Sequence, residues 1–474
     1  MPEAELWQLS AVEVAAGIRT RTFTSREVVD AVLERIAAHN PHLNAIVVQR
    51  PDEARAQADA ADAAVARGDV LGPLHGVPVT IKENIDQVGY PTTNGVPAYS
   101  TLMPTEDSPV VVSLARAGAV FVGRTNTPEF SMRPTTDNPL RGRTYNPWDE
   151  EASPGGSSGG AGAAAAAGFG PLHHGNDIGG SLRFPSSANG VVTVKPGTFR
   201  VPTFNSSAPA ERGPLSQAMS SQGIIARHAA DVRLATEVLV RPDPRDPNAP
   251  PVPFFGVPID DPVPVAVTTE SHGFPIHPGV VDLVRRAADM LADAGYAVQE
   301  ADPPSVPEAA DAWFRTGSTE MEALLAPAVN EFGSKDIQAV FDHFFARSTI
   351  LDRDGYLTEF GDRTRMMRDW GRFLDRYPLV ITPFLMGPLF AWDADLDRKG
   401  LATLLDASVY SFSMNYLGLP AGVIGMDLVD GLPAAVQIVG RRYREDLICD
   451  ALEVIEDANG PLSFRLWERE TPTG

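Results

Sequence analysis

Cysteine and lysine are scarce in this chain. Cys449 is the single thiol among 474 residues, which excludes an intramolecular disulfide and a metal site built from several cysteines. The only lysines are Lys82, Lys195, Lys335 and Lys399, although the chain has 39 basic residues. Each lysine is therefore a candidate for a specific role, because a buried lysine can lose its proton whereas arginine stays charged.

Long apolar runs are also missing. The chain has no stretch of about 18 consecutive apolar residues, and its most apolar candidate, residues 110–122, is interrupted by Arg116. The first residues, MPEAELWQLSAVEVAAG, include acidic side chains and have no basic region before an apolar run. We therefore expect no signal peptide and no membrane association, and a cytoplasmic protein.

The chain has fewer basic residues than acidic ones. The 39 basic residues face 61 acidic ones, so the formal net charge is −22. Such a chain would repel a phosphate backbone, so we expect no nucleic-acid partner. Hydrophobic residues make up 43% and charged residues 21%, as in soluble globular proteins, and the length allows two to four ordinary domains or one large one.

Helical spacing of apolar residues dominates the N-terminal part. We predict helices throughout residues 5–70, with Ser10 and Thr24 as candidate N-caps and Gly68 as a C-cap. Further along, strands are predicted at 76–84, 120–123, 263–270, 378–384 and 432–440, and helices at 109–117 and through most of 308–375. This alternation predicts an α/β fold.

Two segments have unusual compositions. Residues 241–264 contain nine prolines, which predicts an extended surface connection and, on composition alone, a domain boundary. Residues 153–190 are rich in glycine, serine and alanine. A flexible linker would not carry an alanine run followed by charged and aromatic residues, so we interpret this second segment as a tightly packed backbone site.

Three familiar kinds of site fit poorly. GGSSG at 155–159 matches the G-x-S-x-G turn of some hydrolases, but the preceding NPWDEEASP cannot be the buried strand that such a turn follows. The glycine-rich segment lacks the spacing of a nucleotide-binding loop. His173 with His174, and His272 with His277, lack the helical spacing and third ligand of a metal site, so we expect no metal and no cofactor.

The order of several motifs is more specific than any one of them. GVPVTIKEN is followed by GRTNTPEFS, NPWDEEASPGGSSGG and GNDIGGSLRFPSS, and later by SQGIIARHAAD, VITP, NYLGLPA and GLPAAVQIVGRRYRED. This series resembles the amidase signature family over nearly the whole chain. The resemblance implies one large α/β domain at 1–474, with a mixed β-sheet covered by helices on both sides.

The resemblance also implies how this domain is divided. Its parts would be N-terminal helices at 5–70, the signature core at 71–240, the proline-rich connection at 241–264, and a second half at 265–474 with a variable pocket segment at 308–395. The proline-rich segment then becomes a surface excursion within one domain, not a boundary.

A catalytic triad is implied by the same resemblance. The catalytic lysine of the family falls on Lys82, its bridging serine on Ser157, and its nucleophile on Ser181, 24 residues after Ser157. A serine hydroxyl needs a base, and a lysine can be that base when desolvation keeps it neutral. Lys82 would then take a proton from Ser157 while Ser157 takes one from Ser181, and the same route would return a proton to the leaving nitrogen.

The nucleophile loop is expected to supply an oxyanion hole. By resemblance, its donors are the backbone N–H groups of Ile178, Gly179, Gly180 and Ser181, and the glycines would let the substrate approach closely. Ser131 is expected to lie near the substrate.

Other polar residues of these motifs are expected to support the site. We interpret Asp177 and Arg183 as a structural ion pair that braces the loop, and Ser158 as a hydrogen-bonding partner of the loop backbone. Lys195, which lies between a strand-like VVTV and Pro196, is expected to be structural.

The implied activity is hydrolysis of a small-molecule amide C–N bond through an acyl-enzyme. Specificity is expected to come from the segments 131–143 and 308–395. The aromatic residues there either line the pocket, which would favour an apolar or aryl substrate, or pack as helix core. Aryl amides, cyclic or oligomeric amides, carbamates and esters remain open.

Two alternative functions remain beside the amidase, and one expectation concerns the oligomeric state. The first alternative is the amidotransferase subunit that works in a tRNA-dependent complex, although that subfamily typically has glutamine where this chain has Phe184. The second is a non-catalytic scaffold, which the intact triad positions disfavour. The resemblance also implies a homodimer.

Overall fold

The backbone of the protein is organised by one large β-sheet. The computed structural model describes residues 5–259 and 261–470; residues 1–4, 260 and 471–474 lie outside the described ranges, and the first four belong to the segment considered above for a signal peptide. The strands are β1 Ile46–Val48, β2 Pro78–Lys82, β3 Val120–Thr125, β4 Leu172–Asp177, β5 Val192–Lys195, β6 Ser221–Ala226, β7 Pro264–Val267, β8 Ala297–Glu300, β9 Leu379–Pro383, β10 Ala421–Val429 and β11 Leu432–Gly440.

The sheet is mixed. Its strand order is β1-β3-β2-β4-β6-β5-β10-β11-β9-β7-β8. Strand β2 runs parallel to β3 and β4, and β7 runs parallel to β8 and β9, whereas the central pairs from β4 to β9 are antiparallel. The mixed α/β sheet implied by the sequence is therefore confirmed.

Helices fill most of the connections between the strands. The α-helices are α1 Ala11–Thr20, α2 Ser25–Leu43, α3 Pro51–Arg67, α4 Pro109–Arg116, α5 Gly159–Ala167, α6 Arg183–Asn189, α7 Pro214–Met219, α8 Ala229–Leu239, α9 Pro278–Asp293, α10 Val306–Leu324, α11 Ala326–Phe332, α12 Lys335–Arg347, α13 Arg353–Arg376, α14 Arg398–Asp406, α15 Val409–Leu417, α16 Glu445–Asn459 and α17 Phe464–Glu470. Short 3₁₀ helices lie at Leu6–Gln8, Pro97–Tyr99, Glu129–Ser131 and Ala394–Leu396.

Alternate residues of the strands pack into different cores. Leu379 and Ile381 of β9 belong to an apolar cluster with α8, α9 and α16. Val380, between them, belongs to a second cluster with α10, α13 and α15. Since successive strand residues point to opposite faces, helices cover both faces of the sheet.

The N-terminal helices begin and end largely where the sequence indicates. Ser10 and Thr24 accept hydrogen bonds from the first turns of α1 and α2 in capping boxes, and Gly68 ends α3 in the left-handed conformation. The prediction of helices alone was wrong at β1, a strand between α2 and α3. Its Ile46 lies opposite Thr125 of β3, so a tertiary pairing determines its conformation.

The segment rich in small residues packs tightly, as predicted. Helix α5 is buried along its whole length. A Cβ added at Gly160 would lie 2.5 Å from the backbone nitrogen of Asn126, just beyond β3. Small residues therefore let this helix lie directly on the backbone of its neighbours, next to the loops that carry the polar motifs.

The proline-rich segment connects α8 to β7. Its described residues form neither helix nor strand before Pro264. Among the described helices, none combines the length and apolarity needed to cross a membrane.

Candidate active site

Lys82 is the last residue of β2 and is completely buried. Its Nζ donates to Ser157 Oγ at 2.8 Å, to Ser158 Oγ at 3.0 Å and to Asn176 Oδ1 at 2.8 Å. All three acceptors are neutral, and no carboxylate of the described residues contacts the amine. Ser157 and Ser158 directly precede α5, and Asn176 lies in β4. Two separate parts of the chain therefore supply acceptors to the amine at the end of β2.

The surroundings of Lys82 favour its neutral form. Burial lowers the pKa of Lys82 well below its ordinary value. The Asp177 carboxylate opposes this shift, and the Arg212 guanidinium reinforces it. A neutral amine can accept a proton, which an ordinary surface lysine at neutral pH cannot do.

The loop after β4 is braced by a buried ion pair. Arg183 Nε donates to Asp177 Oδ2 at 3.0 Å, and neither side chain is exposed. Asn415 Nδ2 donates to the same carboxylate at 2.9 Å. Burial by itself would raise the pKa of Asp177, but Arg183, Lys195 and Asn415 together lower the pKa to about 2. Asp177 is therefore a permanent anion, and the geometry matches the predicted bracing role.

The same carboxylate organises the backbone that leads to Ser181. The N–H of Gly180 donates to Asp177 Oδ1 at 2.7 Å, and the N–H of Leu182 donates to Oδ2 at 3.2 Å. Gly180 has φ +134°, and a Cβ there would lie 2.3 Å from the Phe184 ring, so only glycine fits this turn.

Not all of the predicted oxyanion donors are equivalent. The N–H of Gly180 already has the Asp177 carboxylate as its acceptor. The N–H groups of Ile178, Gly179 and Ser181 have no acceptor among the described residues. Three free donors on one short loop can stabilise a developing negative charge.

Ser157 and Ser181 line one cavity of about 380 Å³. The peptide bond between Gly156 and Ser157 is cis. Within the described chain, no hydrogen bond joins the two serine hydroxyls. The structure thus connects Lys82 to Ser157 directly and brings Ser181 to the same cavity without a direct contact to Ser157.

Ser131 also lines this cavity and is tied to the lysine by two asparagines. Asn84 Nδ2 donates to Ser131 Oγ at 2.9 Å, and Asn176 Nδ2 donates to Asn84 Oδ1 at 3.1 Å. Asn176 in turn accepts from Lys82. Sequence reasoning missed both asparagines, although each lies within a quoted motif, one in TIKEN and the other in GNDIGGS.

The cavity wall comes from more of the chain than predicted. The pocket segment 308–395 contributes only one part of the wall, largely from α10 and the turn after it. Residues 209–220, including Arg212, form another part that was not foreseen. Most of the aromatic residues of α12 and α13 pack into the second apolar cluster, as Trp370 does. The lining from α10, α11 and the residue between them is Trp313, Gly317, Glu320, Met321, Leu324, Leu325 and Ala328.

The other candidate residues have structural partners. Lys195 is buried and donates to the carbonyl oxygen of Pro196 at 3.1 Å, and burial lowers its pKa to about 7. His173 contacts Thr80 Oγ1 and His174 contacts Gln222 Oε1, and burial lowers the pKa of each histidine to about 3. Across the described ranges, no group of three or more His, Cys, Asp or Glu side chains could hold a metal ion.

The sequence matches the profile of the Amidase family over residues 27–449, and the chain belongs to that family. It is an amidohydrolase that acts on amide C–N bonds. The resemblance to the amidase signature family inferred from the motifs is thereby confirmed.

The relatives differ in their activities. An indoleacetamide hydrolase of Bradyrhizobium diazoefficiens is 44% identical over 469 residues, which cover 98% of this chain and 90% of the relative. A glutamyl-tRNA(Gln) amidotransferase subunit of Moorella thermoacetica is 30% identical over 96% of this chain and 97% of its own. A solved bacterial aryl acylamidase of the amidase signature family has a TM-score of 0.83 at 25% identity, covering 98% of this chain and 99% of its own.

Proposed function

We propose that this chain hydrolyses the primary amide of an arylacetic acid, the class that includes indoleacetamide, through an acyl-enzyme at Ser181. The observation that carries the proposal is Lys82, a buried amine whose Nζ lies 2.8 Å from Ser157 Oγ beside the cavity that Ser181 also lines. The 44% identity to an indoleacetamide hydrolase supports the choice of substrate class.

Acylation begins with a proton relay. Neutral Lys82 takes the proton of Ser157 as Ser157 takes the proton of Ser181, and Ser181 Oγ attacks the carbonyl carbon of the amide. The oxyanion accepts hydrogen bonds from the free N–H groups of Ile178 and Gly179 and from that of Ser181. A donor of this kind lowers the barrier by about 2.7–4 kcal/mol.

Collapse of the tetrahedral intermediate breaks the C–N bond. The proton held by Lys82 returns through Ser157 to the amide nitrogen, so the leaving group departs as ammonia and not as an amide anion. Water then attacks the Ser181 ester by the same relay. The carboxylic acid is released, and both serines regain their protons.

The amidotransferase alternative has less support. Identity to the amidotransferase relative is 30%, against 44% for the hydrolase. Phe184, which stands where that subfamily typically has glutamine, is buried and packs against Phe384 with ring centroids 5.2 Å apart. A phenylalanine here fills an apolar cluster and offers no polar group.

Activity of the purified chain alone tests the proposal. We expect ammonia and indole-3-acetic acid to form in equal amounts from indole-3-acetamide, and a Ser181→Ala preparation to form neither. Ser100→Ala, at an exposed position, is a matched serine control that keeps the activity. Turnover that requires both a charged tRNA and added partner proteins would contradict the proposal.

A further inference from the structure

Helix α10 forms one wall of the cavity, and its face leads away from the nucleophile loop. Trp313 Nε1 donates to the carbonyl oxygen of Ile178 at 2.8 Å, which fixes this end of the wall beside the loop. Gly317, Glu320 and Leu324 line the same cavity further along α10. Their spacing of three and four residues places them on one helix face.

Gly317 leaves a gap in this wall. A Cβ added there would meet no heavy atom nearer than 3.9 Å, whereas a Cβ at Gly179 would lie 2.9 Å from both Trp313 and Phe412. The helix therefore presents bare backbone between Trp313 and Glu320. A planar ring can lie in this gap, between the aromatic side chain and the carboxylate.

Glu320 ends the gap with a buried carboxylate, and Arg212 lines the same cavity without forming a salt bridge to it among the described residues. The carboxylate accepts hydrogen bonds from the backbone N–H of Leu215 at 2.8 Å, from that of Ser216 at 2.7 Å, and from the Tyr356 hydroxyl. Within the described ranges, Glu320 forms no salt bridge, and Oε2 has the Ser216 N–H as its single donor. Oε2 can therefore accept a further hydrogen bond, and Glu320 is one of the residues that line the cavity.

The distance along α10 from Trp313 to Glu320 limits how long a substrate can be if it contacts both the nucleophile loop and Glu320. Glu320 follows Trp313 by seven residues, which is roughly 10 Å at about 1.5 Å per residue. An arylacetic amide whose carbonyl lies on the nucleophile loop would extend its ring along this wall toward that carboxylate. A carboxylate acceptor there favours a ring that carries an N–H donor.

We propose that Glu320 accepts a hydrogen bond from a ring N–H of the acyl group, and that Gly317 provides the space for that ring. The inference rests on the proposed function and narrows its substrates to amides of acetic acids bearing an N–H-containing heteroaromatic ring. Glu320 is then a binding residue that selects the acyl group, and it takes no part in the proton relay.

A pair of substrates on the unaltered protein tests the hydrogen bond without any risk to folding. Indole-3-acetamide and 1-benzofuran-3-acetamide have the same shape, but the second lacks the donor. We expect kcat/KM for the indole compound to be at least about tenfold higher, because a hydrogen bond to a charged acceptor would be lost. The Glu320→Gln variant should reduce this preference mainly by raising KM for the indole compound.

Filling the gap tests the position of the ring. Gly317→Leu should abolish hydrolysis of the aryl amides while propionamide is still hydrolysed. Gly371→Leu is the matched control, because Gly371 is an exposed glycine of helix α13 with nothing within 4 Å of an added Cβ. It should leave both activities unchanged.

The outcomes separate this inference from the proposed function. Equal kcat/KM values for the two aryl amides overturn the role of Glu320 while arylacetamide hydrolysis stands. Undiminished aryl activity in Gly317→Leu overturns the position of the ring. Hydrolysis of short amides without any aryl amide overturns the inference together with the proposed substrate class, and a lack of turnover on every amide overturns both.

Discussion

The Asp177 carboxylate accepts a hydrogen bond from the backbone N–H of Gly180 at 2.7 Å while it pairs with the buried Arg183. One anion thus holds the backbone that presents Ser181 and leaves the neighbouring N–H groups of Ile178 and Gly179 free. The ion pair therefore acts on the site through the loop conformation, and this relationship can be tested by removing the charge alone.

Asp177→Asn should destabilise both the folded protein and the conformation of the loop that carries Ser181. The change leaves the Arg183 guanidinium buried without its anion, so we expect a loss of about 3–5 kcal/mol in the free energy of unfolding. Urea unfolding measures this loss. Asp354→Asn, in an ion pair whose side chains are at least 77% exposed, is the control and should change stability by less than about 0.5 kcal/mol. Equal effects of the two substitutions would contradict the bracing role.

Lys82→Met and Lys82→Arg should both lose activity. Methionine cannot accept a proton, and arginine stays protonated, so neither can act as the base. We expect kcat/KM to fall by about 10²–10⁴. Circular dichroism checks that each variant is folded. A Lys82→Met protein with more than a tenth of the unaltered kcat/KM would exclude Lys82 as the base.

Removal of the Arg212 charge should shift the pH profile. Only neutral Lys82 acts as a base, so kcat/KM rises as pH increases through the pKa of Lys82. Arg212 lowers that pKa, and its replacement by methionine should therefore move the acidic limb of the profile to higher pH. Arg212→Lys keeps the charge and should keep the profile. Superimposable profiles for Arg212→Met and the unaltered protein would show that Arg212 does not act on Lys82.

Replacement of Lys195 should change the pH dependence of the free energy of unfolding and not the catalytic step. Burial lowers its folded pKa from the ordinary 10.5 to about 7, so between these values the unfolded chain binds a proton that the folded chain does not. The free energy of unfolding of the unaltered protein should therefore rise across this window by up to about 1.4 kcal/mol per pH unit relative to Lys195→Met. Urea unfolding at pH 7, 8 and 9 measures the difference. Parallel pH dependences of the two proteins would contradict the shifted pKa.

Sequence reasoning could predict the centre of the site because its residues lie in short, ordered motifs. Lys82 ends a β-branched run that becomes β2. Ser157 and Ser181 flank a run of small residues, a composition that indicates tight packing of the backbone. The resemblance supplied their relative arrangement, which no local pattern contains.

The substrate side of the site could be predicted only as the segment 308–395, without its individual residues. Arg212 and Glu320 belong to segments without a motif, and only the tertiary fold brings both to the cavity wall. The sequence does not indicate the role of Gly317 either, because the space beside a glycine in a helix depends on which residues pack against it. Strand β1 was missed for the same reason, because Ile46 becomes extended by pairing with β3.

Covalent labelling tests the central claim most directly. The purified chain is treated with a fluorophosphonate, its intact mass is measured, and the modified peptide is mapped. The account predicts one adduct, on Ser181, which is absent in Ser181→Ala and forms far more slowly in Lys82→Met. An adduct on Ser157, or amide turnover by a verified Ser181→Ala preparation, would contradict it.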